Sequence, residues 1–300
     1  KPFSYLVTYG RFPSQTDIYT NKGELVTNLL DTPLIEELPK GRMSTRTGKR
    51  SYSWRPDQPS TLIYVQALDQ GDPAIKIEYR DEVFEIAAPF NGEGKSLVKT
   101  INRFSGIDWG TESLAIAYDY WWDTRNRKAY AFNPSNPESK PKTIYDRNYQ
   151  DVYNDPGSFL KSRNSFNRSV LQIYKGNAFL RGSGFTKEGQ FPFIDKINTT
   201  SFEKTRVYQS KYTDKIESIQ DFDPVKNEII VRIESPTEFP NYYSKKTNSR
   251  RLNQITNFEN PFLELQNVKK EVITYKRDDG LELSGVLYLP LGYDEEKKEK

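Results

Sequence analysis

No long stretch of this chain repeats its apolar residues every three to four positions. Short apolar and aromatic runs broken by turn residues recur instead from end to end. They include SYLVTYG at 4–10, TLIYVQALD at 61–69, SLAIAYDYWW at 113–122, KAYAFNP at 128–134, SVLQIYKGNAFLRGSG at 169–184, TRVYQS at 205–210 and NEIIVRIES at 227–235. β-Branched and aromatic residues dominate these runs, and Asn, Gly, Pro and Asp cluster between them, which is the pattern of strands and turns. The best helix candidate, Glu24 to Glu37, is interrupted by Pro33. The expectation is an all-β fold with at most one short helix.

A longer period runs through the strands. SYSWRPDQPSTLIYVQALD begins at Ser51, FSGIDWGTESLAIAYDY at Phe104, and IESIQDFDPVKNEIIVRIES at Ile216. Each has an aromatic residue, a polar turn and then a strongly apolar strand. Trp54, Trp109 and Phe222 carry the pattern, and Phe166 supplies the copy expected between the last two, so the period is about 56 residues. Repetition at this scale with several short strands per unit points to the blades of a β-propeller, about four to five of them. The aromatic turn would start one blade strand, and the apolar strand after it would line the central channel. A sandwich of hairpins is the rival, although its turn signals recur at shorter intervals.

Composition excludes several functions. Histidine and cysteine are both absent from the 300 residues. No Ser-His-Asp or Cys-His relay, disulfide or thiolate metal site can be assembled from this chain, so any chemistry within it would rest on carboxylates, Lys or Tyr. With 44 basic and 41 acidic residues the net charge is +3, and no basic stripe marks a nucleic-acid partner. No apolar run is long enough to suggest a membrane-spanning helix. Aromatic residues make up 14% of the chain, including 20 Tyr and 17 Phe. So many amphipathic rings suit sheets better than a helical bundle.

Four stretches invite a chemical reading. NGEGKS at 91–96 resembles a phosphate loop, but Pro89 stands where the first glycine should be, so a hairpin turn is expected. Ser183 in RGSGF lacks the spacing of a nucleophile elbow and reads as part of a turn. Asp146, Asp151 and Asp155 fall in DRNYQDVYNDPG without calcium-loop spacing, and no metal or other cofactor is expected. YDYWWDTRNRK at 118–128 sets aromatics beside Arg125 and Arg127, which could clamp a carboxylate. Its plain reading is a blade strand with a charged turn. A glycosidase working through carboxylates alone would need an acid pair such as Asp119 and Asp123. A non-catalytic propeller binding module remains a further alternative.

Near the end, VITYKRDDGLELSGVLYLPLGY at 272–293 reads as two strands joined by the turn Arg277-Asp278-Asp279-Gly280. This stretch, together with SWRPDQPSTLIYVQALDQGDP (53–73), WDTRNRKAYAFNPSNP (122–137), DRNYQDVYNDPGS (146–158), PFIDKIN (192–198) and QITNFENPFLEL (254–265), resembles the prolyl oligopeptidase family of serine peptidases. Its glutamyl endopeptidase branch is the nearest in pattern. The resemblance covers nearly the whole chain. It implies that 1–267 form propeller blades with others upstream, and that 268–300 begin an α/β-hydrolase domain. The nucleophile, acid and His would then lie beyond Lys300, and no residue here occupies a triad position. It also implies peptide substrates acted on by that further domain. Glutamyl selectivity would need a cation, for which Arg125, Arg127 and Arg163 are the candidates. Bacterial relatives suggest a periplasmic or secreted setting, and plant relatives a plastid.

Overall fold

The computed structural model describes residues 3–293. Among them there are 23 strands, two single 3₁₀ turns and no α-helix. They fall into two compact units, one running to Phe185 and including Phe193–Val207, the other comprising Thr186–Pro192 and Tyr208 onward.

The first unit opens with a two-stranded ribbon, β1 (Ser14–Tyr19) and β2 (Leu25–Thr32). Three antiparallel sheets follow in chain order. The first runs β3 (Arg50–Trp54), β4 (Thr61–Ala67), β5 (Asp81–Ala87) and β6 (Lys95–Thr100). The second runs β7 (Arg103–Thr111), β8 (Leu114–Trp121), β9 (Asn126–Phe132) and β10 (Lys142–Asn148). The third contains β11 (Ser158–Phe159), then a separate small hairpin of β12 (Lys161–Arg163) and β13 (Ser169–Leu171). The short β14 (Ile173–Tyr174) leads into β15 (Asn177–Gly182), followed by β16 (Phe193–Asn198) and β17 (Lys204–Gln209), and the sheet order is β11-β15-β16-β17 with β14 on β15.

The packing explains the apolar runs. Leu62, Tyr64 and Ile86 cover one face of the first sheet together with Ile18 of the ribbon. Ile63, Val65 and Val83 point the other way and meet Trp109, Ala115, Ala117 and Phe132 of the second sheet. Leu114, Ile116, Ala129 and Ala131 on the far face of that sheet meet Phe159, Leu171, Ala178 and Leu180. A strand buried on both faces loses its alternation and reads as one continuous apolar stretch, as β4 and β8 do. Alanines on the facing surfaces allow close approach of the sheets. A sandwich would leave one face of each sheet in water, whereas the second sheet here is covered on both, as in consecutive propeller blades.

The second unit holds a fourth sheet of the same kind: β18 (Ile216–Asp223), β19 (Glu228–Glu234), β20 (Asn241–Lys246) and β21 (Asn253–Gln254). Ile219, Phe222, Ile229, Val231 and Ile233 are its buried apolar residues. The closing hairpin, β22 (Lys270–Lys276) and β23 (Glu282–Tyr288), forms the turn expected at 277–280, with Gly280 at φ +86° and its N–H donating to the Arg277 carbonyl at 2.8 Å. The described residues are thus all-β, with four blade-type sheets of a partial propeller.

Several expectations need correction. Residues 25–32 form a strand: their leucines mimic helical spacing, but pairing with β1 determines the backbone. Residues 4–8 are irregular and lead into a 3₁₀ turn at Tyr9–Arg11, with Tyr5 and Leu6 exposed. The run 169–184 is three strands, because Lys175 and Gly176 both take positive φ and turn the chain back. Phe166 sits exposed in the β12–β13 turn and starts no blade strand. The aromatic-bearing strands β3 and β7 are sheet edges, and the apolar strands that follow them lie inside the sheets.

Candidate functional site

Those edge strands line a cavity of about 520 Å³ in the first unit, with Trp54 and Trp109 in its wall. β12 and β13 close its other side through Lys161, Arg163 and Leu171. A second cavity of about 360 Å³ shares Ser105–Asp108 and Lys161 with the first and extends to Tyr118, Arg127, Tyr145 and Arg147. Both fall in the size range of small-ligand sites. β7 forms the shared wall because its pairing with β8 slips between Phe104 and Gly106, a bulge that bends the edge strand.

The charge around the two cavities is unequal. Arg127, Arg147, Lys161, Arg163 and Arg168 contribute five cations against the carboxylates of Asp108 and Asp155. Asp108 is fully engaged, with Lys161 Nζ 2.6 Å from Oδ1 and the Tyr118 hydroxyl donating to Oδ2 at 2.9 Å. Asp155 pairs with Arg147 at 3.0 Å. Burial, reinforced by Asp108, pushes the Tyr118 phenol far above its ordinary range, and burial also raises Tyr145. Both therefore stay neutral hydroxyls at physiological pH.

The three arginines expected to bind substrate separate. Arg125 folds back on its own turn, donating to the Trp122 carbonyl at 2.8 Å and lying 3.8 Å over the Trp122 ring. Arg42 stacks near that ring too, at 4.3 Å, and Arg80 lies over Trp121 at 4.0 Å while pairing with Asp69 at 2.7 Å. The aromatic and cationic character of 118–128 is thus largely absorbed by strand, turn and ring contacts. Arg163 lines the larger cavity and donates to the Asn167 carbonyl at 3.0 Å. Arg127 lines the smaller one, 5.4 Å from the centre of the Tyr118 ring.

The acid pair weighed for glycoside chemistry does not form a cleft. Asp119 has no solvent exposure and accepts hydrogen bonds from Asn102 N at 2.9 Å, Asn102 Nδ2 at 3.0 Å and the Tyr130 hydroxyl at 2.7 Å. It fastens the β6–β7 connection to β8 and β9, while Asp123 lies exposed in the β8–β9 turn. Asp146 pairs with Lys128, Asp151 accepts from Asn154, and Asp155 is held by Arg147, so each of these acids has a protein partner. NGEGKS spans the end of the β5–β6 connection and the first two residues of β6, and Ser183 directly follows β15.

Sequence reasoning missed Asp108, Tyr118, Tyr145, Arg147, Lys161 and Arg168 as lining residues. They come from separate segments on two different sheets, which only the fold brings together. One signal existed: Arg127 and Arg147 stand opposite each other between β9 and β10. Like charges directly opposite on a ladder destabilise it unless something neutralises them.

No protein-family profile matches the chain. It is 36% identical over 310 aligned residues, 98% of its length, to a protein of Oryza sativa subsp. japonica named "Probable glutamyl endopeptidase, chloroplastic". It is 35% identical, over 99% of its length, to a protein of Arabidopsis thaliana with the same name. The chain spans about a third of the length of these relatives, 33% in each case. Among solved structures, oligopeptidase B from Trypanosoma brucei aligns with 82% of this chain and 39% of its own, at 8% identity and a TM-score of 0.44.

Proposed function

We propose that this chain, which belongs by sequence with the glutamyl endopeptidases of the prolyl oligopeptidase family, is the non-catalytic propeller portion of a serine peptidase that cleaves peptides, the relatives' name pointing to cleavage after Glu. The observation that carries the reading is likeness over nearly the whole chain to one third of peptidases about three times as long. The 300 residues contain no His, so the charge relay of a serine peptidase cannot be built from them alone. In this reading residues 1–267 are blades, and from 268 the chain enters the strands of a hydrolase domain.

The proposed role follows from steric exclusion. A propeller placed over an active site admits short or flexible peptides, keeps folded proteins out and limits water in the chamber. The closing hairpin supports the domain boundary, since Val272, Tyr275, Val286 and Tyr288 are each more than half exposed on strands of apolar composition. Such strands call for a covering layer. A carboxylate glycosidase has no comparable support, given the enclosure of Asp119.

The test is size selectivity in a polypeptide of the relatives' length that contains these residues. Short Glu-containing peptides should be cleaved and a folded protein of similar Glu content should resist. Deleting residues 1–267 should abolish that discrimination. Equal cleavage of both substrates by the full-length protein would refute the gating role.

A further inference from the structure

We propose that Arg127 is the anchor of a carboxylate-binding pocket in the smaller cavity, and that its ligand is a carboxylate of a peptide. The inference deepens the peptidase reading by locating the recognition site, and it rests on that reading only for the word peptide. Within the cavity each other charge has a local partner: Lys161 with Asp108, and Arg147 with Asp155. The Arg127 guanidinium has neither an ion pair nor a hydrogen bond among the described residues, only the Tyr118 ring face at 5.4 Å. It stands directly across the ladder from Arg147.

Asp155 neutralises Arg147 on the facing strand, which leaves Arg127, an exposed side chain, as the cation of this cavity with no protein carboxylate beside it among the described residues. A carboxylate is planar and matches the two-pronged guanidinium, which lysine cannot imitate. The Tyr145 hydroxyl lines the same cavity, is neutral, and has no hydrogen-bond partner among the described residues, so it can donate to a second oxygen. A cavity of about 360 Å³ has room for an acidic side chain or a chain terminus. The larger cavity, which has Trp54 in its lining, lies across the shared residues Ser105–Asp108 and Lys161.

Isothermal titration of the 300-residue chain with three probes tests this directly. N-acetyl-Glu-amide carries a side-chain carboxylate, N-acetyl-Ala a terminal one, and N-acetyl-Gln-amide neither. Binding of either acid without the neutral probe supports the pocket, and the tighter acid identifies the source of the carboxylate. Arg127→Gln should weaken acid binding about tenfold or more, Arg127→Lys should restore it only in part, and Tyr145→Phe should weaken it by a smaller factor. Lys99→Gln, on the exposed side of β6, should leave it unchanged. Far-UV circular dichroism of each variant shows whether the fold is kept. Equal binding of all three probes, no binding of any, or full acid affinity in a folded Arg127→Gln chain would overturn the proposal. Failure of the longer protein to cleave peptides would leave these titrations intact, so the two readings fail separately.

Discussion

Replacing Asp119 with alanine should destabilise the first unit by about 4 kcal/mol, a value built from its hydrogen bonds. Three donors converge on this fully buried carboxyl: Asn102 N, Asn102 Nδ2 and the Tyr130 hydroxyl. Asn102 Nδ2 keeps a second acceptor, Asn126 Oδ1 at 2.9 Å. The other two donors would be left without an acceptor in a dry site, at about 1–3 kcal/mol each. Equilibrium urea unfolding followed by tryptophan fluorescence measures the loss. Asp123→Ala, four residues along in an exposed turn, is the matched comparison and should stay within about 0.5 kcal/mol. A loss below about 1 kcal/mol for Asp119→Ala would refute the argument that this acid fastens the sheet.

The same residue gives a pH dependence. Burial holds the Asp119 carboxyl above its ordinary range, and its hydrogen-bond donors offset that only in part. The native state therefore keeps this proton to higher pH than the unfolded chain does. The resulting stability is fully present below the unfolded-state value of about 3.9 and is lost as pH rises through the native value. Asp119→Asn removes this titration. The stability difference between wild type and Asp119→Asn should be largest near the acid end and shrink as pH rises; a difference that grows with pH would mean that the fold prefers the ionised form.

Three further outcomes follow from the packing. Gly71 sits at φ +77°, where a Cβ would lie 1.9 Å from the Thr45 carbonyl oxygen, so Gly71→Ala should cost more than about 1 kcal/mol in urea unfolding. In the second unit Lys245 Nζ pairs with buried Glu217 at 3.0 Å, and Lys245→Met should cost about 3–5 kcal/mol by stranding that carboxylate; adding Glu217→Gln should recover part of the loss in a double-mutant cycle. Lysines in place of Val272 and Val286, 75% and 55% exposed, should reduce concentration-dependent association of the chain in sedimentation velocity.

Strand content was legible because burial on both sheet faces concentrates apolar residues into runs such as 61–67 and 114–117. The blade period was legible through Trp54, Trp109 and Phe222, which fall on the first strands of three sheets. Phe166 matched the spacing by coincidence, since it lies in a hairpin inserted between β11 and β14, the two segments that pair with β15. The segment 25–32 misled because leucines at 25, 29 and 30 satisfy a helical face as readily as a ladder. Asp119 reads like a cleft acid in one dimension, and only the fold reveals the donors that enclose it. Of the three candidate arginines, the sequence gives no reason to set Arg125 apart from Arg127. The difference arises from a two-residue displacement along the chain, from a turn that folds back on Trp122 to a strand facing a cavity.

The most direct measurement is the hydrolysis rate of a fluorogenic Glu-containing peptide by two polypeptides, the 300-residue chain and one of the relatives' length that contains it. The account predicts no serine-reagent-sensitive cleavage by the former and robust cleavage by the latter. Sensitive cleavage by the 300 residues alone, or none by the longer protein, would contradict it.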